Sequence, residues 1–295
     1  MNILVSQHGH YNYMSAGICQ GLQLLGHNVF SLYCYQTNYV ECGIDGSEHV
    51  DLYIEFVDQD VPAPKRWPSV LCWGEDHSRG LKRAFSRGFD FVFIRDHSPN
   101  TPGIPISFAI EERYIDVTKE RLIPLHEREI DITFCGQLGY ANRQEYVDRL
   151  KKDFASYNLV LGPRQFNEPD DKWSRWTLPW AAHDVRYFEV LANSKVVLSF
   201  RGVGVFDCGR HWEALASGGV PVIENVPLVD MVRPTPEGVS WFVGYEQLGD
   251  AIHKALSNAN SPTLQERVTE AWKWNLEHHS TVARARYLLQ QIGMA

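Results

Sequence analysis

Short apolar runs alternate with amphipathic stretches along the chain, and this alternation predicts β-strands and α-helices in turn. In the first half the predicted helices span residues 14–25 and 75–87, each ending at a glycine, and the predicted strands span residues 3–6, 28–33, 51–57, 69–73, 89–94 and 104–110. Strands and helices that alternate in this way build a parallel sheet with helices on both faces.

The same pattern restarts after a charged stretch, residues 111–130, which we interpret as an irregular crossing between two domains. The second half predicts helices at residues 142–154 and 185–193, a helix that begins near Asp207, and strands at residues 130–135, 158–161, 196–200 and 220–223. Residues 263–292 are helical in composition, and Ser280 or Thr281 can cap the final helix.

The pattern therefore predicts an α/β chain with an N-terminal domain (residues 1–115), a C-terminal domain (116–270) and a C-terminal helix (271–295) that crosses back to the first domain. A length of 295 residues fits two domains of about 150 residues each. The hydrophobic share of 44% and the charged share of 22% exclude a disordered polar chain.

Charge and cysteine usage narrow the classes of partner. The net charge of −8 and the lack of a basic stripe disfavour a nucleic-acid partner, although a nucleic-acid acceptor stays possible. None of the six cysteines forms a C-x-x-C pair, so reduced buried thiols are expected rather than disulfides or a zinc site. The sequence shows no signal-peptide pattern and no apolar run of about 18 residues, so we expect a cytoplasmic protein without a membrane span.

Residues 196–224 contain the candidate ligand-binding residues of the second half. This segment predicts a strand, a glycine-containing loop, a helix and a second strand. Asp207 suits the N-cap of this helix, and Arg210 and Glu213 follow at helical spacing. A helix N-terminus and an arginine suit a diphosphate, and a carboxylate can accept two hydrogen bonds from a ribose diol. The segment therefore predicts a nucleoside-diphosphate site at the carboxyl end of a parallel sheet. The alternative is an ordinary Arg210–Glu213 ion pair on a solvated helix face.

The segment R-H-W-E-A-L-A-S-G-G-V-P-V-I-E, residues 210–224, resembles the donor-site signature R-x-F-E-A-L-A-x-G-x-x-P-V of GT-B glycosyltransferases. It is most similar to their short, spore-maturation-type (CgeB-like) branch. Residues 131–136 with Arg143 resemble the strand and helix that open the C-terminal domain of that family, and residues 278–286 resemble its terminal helix. The similarity covers most of residues 105–290.

This resemblance implies two Rossmann-like domains facing across a cleft and a metal-independent transfer of a hexosyl or pentosyl group to a hydroxyl acceptor. The donor would be a UDP- or GDP-linked sugar, acting as co-substrate without a further cofactor. Glu213 would hold the ribose, and the remaining donor-side candidates are Gly136, Arg143, Arg201, Asp207 and Arg210. Val205 stands where the retaining families carry a sugar-contacting acid, so a retaining or inverting outcome stays open, with Asp207 as a candidate substitute.

Two polar segments follow predicted strands of the first half. His8 and Asp76 are candidates for the group that activates the acceptor hydroxyl, and further acceptor-side candidates are His10, Glu75 and His77. Loop histidines and helix-capping acids without a catalytic task are the alternative interpretation.

Other function classes have their own sequence motifs, and this chain lacks or poorly supports them. A dinucleotide-dependent oxidoreductase or epimerase needs G-x-G-x-x-G after the first strand, and residues 7–10 (Q-H-G-H) lack it. The D-x-D at residues 58–60 has no supporting context as a metal–diphosphate clamp. A non-catalytic nucleotide-sugar-binding module and a glycosyltransferase acting on modified DNA bases remain alternatives.

Overall fold

The computed structural model describes residues 1–6, 13–31, 41–42, 49–56, 65–73, 81–95, 102–120, 122–139, 142–162, 185–201, 208–225, 240–242 and 244–294. Contacts divide the chain into unit 1, which contains Met1–Glu111 and His278–Ala295, and unit 2, which contains Glu112–Pro227 and Pro234–Glu277. The sequence predicts divisions after residues 115 and 270, whereas the contacts divide the chain after Glu111 and Glu277.

Both units combine strands with helices. Within the described residues the strands are β1 (Asn2–Ser6), β2 (Asn28–Ser31), β3 (Glu41–Cys42), β4 (Leu52–Glu55), β5 (Ser69–Trp73), β6 (Phe91–Ile94), β7 (Ile104–Pro105), β8 (Ile130–Cys135), β9 (Leu159–Gly162), β10 (Ser194–Ser199), β11 (Val220–Glu224) and β12 (Ser240–Phe242). The helices are α1 (Tyr13–Leu24), α2 (Leu81–Ser86), α3 (Glu112–Glu120), α4 (Arg143–Asp153), α5 (Val185–Ala192), α6 (Gly209–Ala216), α7 (Gly244–Ser257), α8 (Pro262–His279) and α9 (Thr281–Gln291), and residues 125–127 form a 3-10 turn.

The sheet of unit 1 runs β3-β2-β1-β4-β5-β6-β7, and every pairing is parallel. All residues of β4 and β5 are buried, as expected for strands covered on both faces. The chain direction across the sheet reverses between β1 and β4, which is the strand order of a Rossmann-like domain.

Helix α9 packs on α1 within unit 1. The two helices approach closely at Gly21, where an added Cβ would lie 2.0 Å from the carbonyl oxygen of Thr281. The Ser280 side chain accepts a hydrogen bond from the backbone N–H of Ala283, so the predicted capping by Ser280 is confirmed. Any larger residue at position 21 would force these helices apart.

The sheet of unit 2 runs β12-β11-β10-β8-β9 and is also parallel throughout. Its core is built by the apolar residues of β8 and β10, among them Phe134 and Leu198, together with the buried faces of α4 and α7. Both predicted parallel α/β sheets are therefore confirmed.

Two sequence-based assignments are wrong. Residues 112–120, predicted to be irregular from their many charged residues, form α3, whose buried Tyr114 stacks on the ring of Phe188 with ring centroids 3.9 Å apart. Only residues 104–105 of the strand predicted at 104–110 pair with β6. Ile110 instead exchanges backbone hydrogen bonds with His279 and Thr281, and its apolar side chain is fully buried.

Candidate functional site

The carboxyl edge of the unit 2 sheet contains a topological switch point between β8 and β10. These neighbouring strands lead to opposite sides of the sheet, because β8 is followed by β9 on one side and β10 by β11 on the other. Diverging connections leave a crevice outside the carboxyl ends of such strands, where ligands of open parallel sheets bind. Gly136 follows β8 at this edge, and Arg201 lies two residues beyond β10.

Arg210 lies against Gly136 at this switch point. A Cβ added to Gly136 would be 2.9 Å from Nη1, 3.0 Å from Cζ and 3.1 Å from Nε of Arg210. The missing side chain at position 136 therefore makes room for the guanidinium group. Two of the predicted donor-side residues, 74 positions apart in sequence, are brought together here.

Arg143, the first residue of α4, is buried and its guanidinium group bonds to backbone carbonyl groups of both loops. One bond of 3.0 Å reaches the carbonyl oxygen of Gln137, a residue that follows β8. Another, of 2.9 Å, reaches the carbonyl oxygen of Arg201, a residue that follows β10. A further bond of 3.3 Å reaches the carbonyl oxygen of Phe200. These contacts favour a positioning role, in which Arg143 holds the two loops of the switch point together, over a direct phosphate contact.

Arg201 is bound to Glu224, the last residue of the neighbouring strand β11. The backbone N–H of Arg201 donates to the Glu224 carboxylate at 2.8 Å, and its Nε lies 3.5 Å from the other carboxylate oxygen. The Arg201 side chain is 38% exposed, so its outer nitrogens can reach a ligand at the sheet edge.

Glu213 is buried in α6, where it accepts a hydrogen bond from the phenol of Tyr187 on α5. His211 and the other α6 residues through Ala216 are buried as well. The alternative of an ion pair on a solvated helix face is wrong for Glu213, because this carboxylate is buried in protein. The predicted N-cap at Asp207 is also wrong: the N-cap residue is Cys208, which has extended backbone angles.

Basic side chains lie near the Cys208 thiol at the start of α6. The His211 Nδ1 atom lies 3.6 Å from the Cys208 sulfur and 2.6 Å from the Ser199 hydroxyl oxygen. Burial raises the pKa of Cys208, but His211, Arg210 and Arg143 outweigh burial and lower this pKa to about 6. An environment that stabilises a thiolate also favours other anions, which is consistent with a phosphate site at this helix end.

This environment predicts selective thiol chemistry. With iodoacetamide near pH 6.5 we expect Cys208 to alkylate well before Cys19, whose pKa is raised to about 12 by burial. The rate at Cys208 should rise with pH around a midpoint near 6. Peptide mapping by mass spectrometry gives the rates, and His211→Ala should move the midpoint upward. A midpoint above pH 8 in the wild-type protein would contradict the assigned environment.

The acceptor-side candidates His8, His10, Glu75, Asp76 and His77 lie outside the described residues, as do Asp207 and Val205. The strands before the two acceptor-side segments, β1 and β5, end at the same edge of the unit 1 sheet, with β4 between them. The proposed roles of the five acceptor-side candidates stay predictions.

Three site residues were not predicted as such. Glu224 ends the strand V-P-V-I-E, and a carboxylate at the end of an apolar strand is a signal that the sequence does carry. His211 lies within residues 210–224, which resemble the donor-site signature, but no role was predicted for it. Tyr187 lies 26 positions before Glu213, and nothing in the local sequence links the two.

No protein-family model matches this sequence, and no curated protein sequence matches it. Solved structures do match over nearly the full chain. HepE of Anabaena in complex with UDP-glucose has a TM-score of 0.60 and 11% identity, with both chains covered completely. AviGT4, a glycosyltransferase involved in avilamycin A biosynthesis, has a TM-score of 0.52 and 15% identity over 98% of this chain and 96% of its own. The chain has the GT-B fold.

A DNA-modifying β-glucosyltransferase, studied with and without uridine diphosphoglucose, shares the GT-B fold at a TM-score of 0.54 and 11% identity, covering 99% of this chain and all of its own. Identities this low establish the fold, whereas the similarity to the spore-maturation-type branch stays a prediction. Among the described helices of this GT-B chain, each is too short or too polar to span a bilayer.

Proposed function

We propose that this chain is a glycosyltransferase that moves a hexosyl or pentosyl group from a nucleotide-sugar to a hydroxyl acceptor. The observation that carries the proposal is the position of Arg210, whose guanidinium group lies on Gly136 at the switch point of the unit 2 sheet. Glu213 lies about one helical turn further along α6, and the family resemblance implies that it holds the ribose while Arg210 faces the diphosphate.

The similar structures support a uridine nucleotide in particular. HepE is described with UDP, with UDP-glucose, and with UDP and glucose, and the DNA-modifying enzyme with uridine diphosphoglucose. We therefore propose a UDP-linked sugar as the donor to test first and a GDP-linked sugar as the second.

The proposed reaction breaks the bond between the anomeric carbon and the diphosphate oxygen and forms a bond from that carbon to the acceptor oxygen. Negative charge grows on the departing diphosphate, and Arg210 is placed to stabilise it electrostatically, with Arg201 beside it. The acceptor hydroxyl gives up its proton to a base, for which His8 and Asp76 are our candidates. Because arginines supply the positive charge, metal independence is part of the proposal.

A panel of UDP- and GDP-linked sugars, titrated calorimetrically and assayed for nucleotide release, tests this function. We expect one donor class to bind and to turn over slowly by hydrolysis without an acceptor, at the same rate with and without EDTA. Binding without any turnover, including with added sugar and modified-DNA acceptors, would favour the non-catalytic module. The donor-site assignment would be wrong if no nucleotide-sugar bound.

A further inference from the structure

Tyr187 is the only described residue that donates a hydrogen bond to Glu213, and it does so from the interior of unit 2. Its phenol O–H bonds to Oε2 of the carboxylate, and no described residue donates to Oε1. Tyr187 is 1% exposed, so it is too deeply buried to contact a nucleotide itself. The hydrogen bond gives Tyr187 a route to a ligand through the Glu213 carboxylate.

The Tyr187 ring is fixed by an aromatic stack that extends to α3. Its ring meets that of Phe188 edge to face, with centroids 4.9 Å apart and planes at 71°. Phe188 in turn stacks on Tyr114 at 3.9 Å. Three helices, α3, α5 and α6, thus determine where the phenol oxygen lies, and through it where the Glu213 carboxylate lies.

We propose that Tyr187 is a positioning residue that holds the Glu213 carboxylate in the orientation that selects ribose over 2′-deoxyribose in the donor nucleotide. This inference rests on the proposed function, because it takes the ligand of α6 to be a nucleoside diphosphate. A free glutamate side chain loses rotamer freedom when it binds a diol, and holding it in advance removes that cost from binding. With Oε2 engaged by the phenol, Oε1 is presented to the ribose hydroxyl groups.

The test measures the ratio of dissociation constants for 2′-deoxy-UDP and UDP by calorimetry. In the wild-type protein we expect 2′-deoxy-UDP to bind about 10-fold more weakly, as for a lost hydrogen bond to a charged group. In Tyr187→Phe this ratio should fall by about 5-fold, the effect of one hydrogen bond of ordinary strength, while 2′-deoxy-UDP binds nearly as before. A merely structural role would weaken both nucleotides equally and leave the ratio unchanged.

Tyr245→Phe is the matched control, because Tyr245 donates to the Asp153 carboxylate at 3.0 Å in the same unit. It removes the same kind of bond away from α6, and the ratio should stay at the wild-type value. In a Glu213→Ala background, Tyr187→Phe should change the ratio no further. Thermal midpoints verify folding, and Tyr187→Met serves as a second variant without the hydroxyl.

The outcomes separate this inference from the donor-site assignment. An unchanged ratio in both Tyr187 variants, with UDP still bound, would overturn the inference and leave the glycosyltransferase proposal intact. Equal binding of UDP and 2′-deoxy-UDP by the wild-type protein would overturn the ribose role of Glu213 and the inference with it. Failure of the wild-type protein to bind UDP or any other nucleotide would overturn both proposals together.

Discussion

Replacing Arg210 with alanine is expected to lower kcat/KM for donor turnover by about 100- to 1000-fold, the range found when one group that stabilises transition-state charge is removed. The guanidinium group lies on Gly136 at the switch point, where the departing diphosphate is proposed to sit. Most of the loss should appear in kcat, because negative charge on the diphosphate grows in the transition state. Steady-state kinetics with the donor identified by the panel measures it.

Gly136→Ala tests the proposed role of Arg210 without replacing Arg210 itself. Gly136 has no positive φ, so alanine suits its backbone, but the new methyl group would lie 2.9 Å from Nη1 of Arg210. The flexible arginine should move aside, and activity should fall while the thermal midpoint stays near the wild-type value. Arg149→Ala, which removes a half-exposed arginine of α4, controls for loss of charge. Full activity in Arg210→Ala would contradict the proposed role.

Replacing Arg143 with alanine is expected to lower the free energy of unfolding of unit 2 by about 3 kcal/mol, with loss of donor binding. The substitution removes the charged donor of the buried carbonyl group of Phe200 and of the partly buried carbonyl groups of Gln137 and Arg201. Each such group costs about 1–3 kcal/mol when it is left unsatisfied, and partial relaxation should reduce the total. Urea or thermal unfolding of the purified variant gives the value.

Arg149→Ala is again the matched control, since Arg149 lies on the same helix six positions later. Its ion pair with Glu246, at 2.9 Å, joins side chains that are 41% and 90% exposed, and it also contacts the ring of Tyr245. Surface pairs contribute roughly 0–1 kcal/mol, so this variant should lose far less stability than Arg143→Ala. Equal losses in the two variants would contradict the assigned role of Arg143 between the two loops.

The sequence predicts the strands well where the apolar run is long and bounded by turn residues. The strand over residues 69–73 and that over residues 130–135 have the predicted bounds. The short edge strands β3 and β12 were not predicted, because two or three residues carry no periodic pattern. Helix α7 has buried Leu248 and Ile252 at helical spacing, a pattern that the prediction did not use.

At the candidate site the sequence identifies the residues of α6 but not what surrounds them. Arg210 and Gly136 were both chosen, yet their contact depends on two strands that are adjacent only after the sheet has formed. Arg143 was expected to face a phosphate, and only its bonds to Gln137 and Arg201 suggest a different task. Long-range partners of this kind follow from topology rather than from local pattern, and the same holds for Tyr187.

A crystal structure of the chain with UDP tests the central claim most directly. We predict that the diphosphate lies beside Gly136, with a phosphate oxygen about 2.8 Å from the Arg210 guanidinium group, and that the ribose hydroxyl groups meet the Glu213 carboxylate. UDP bound away from the carboxyl edge of the unit 2 sheet, with Arg210 making no contact to it, would contradict the account.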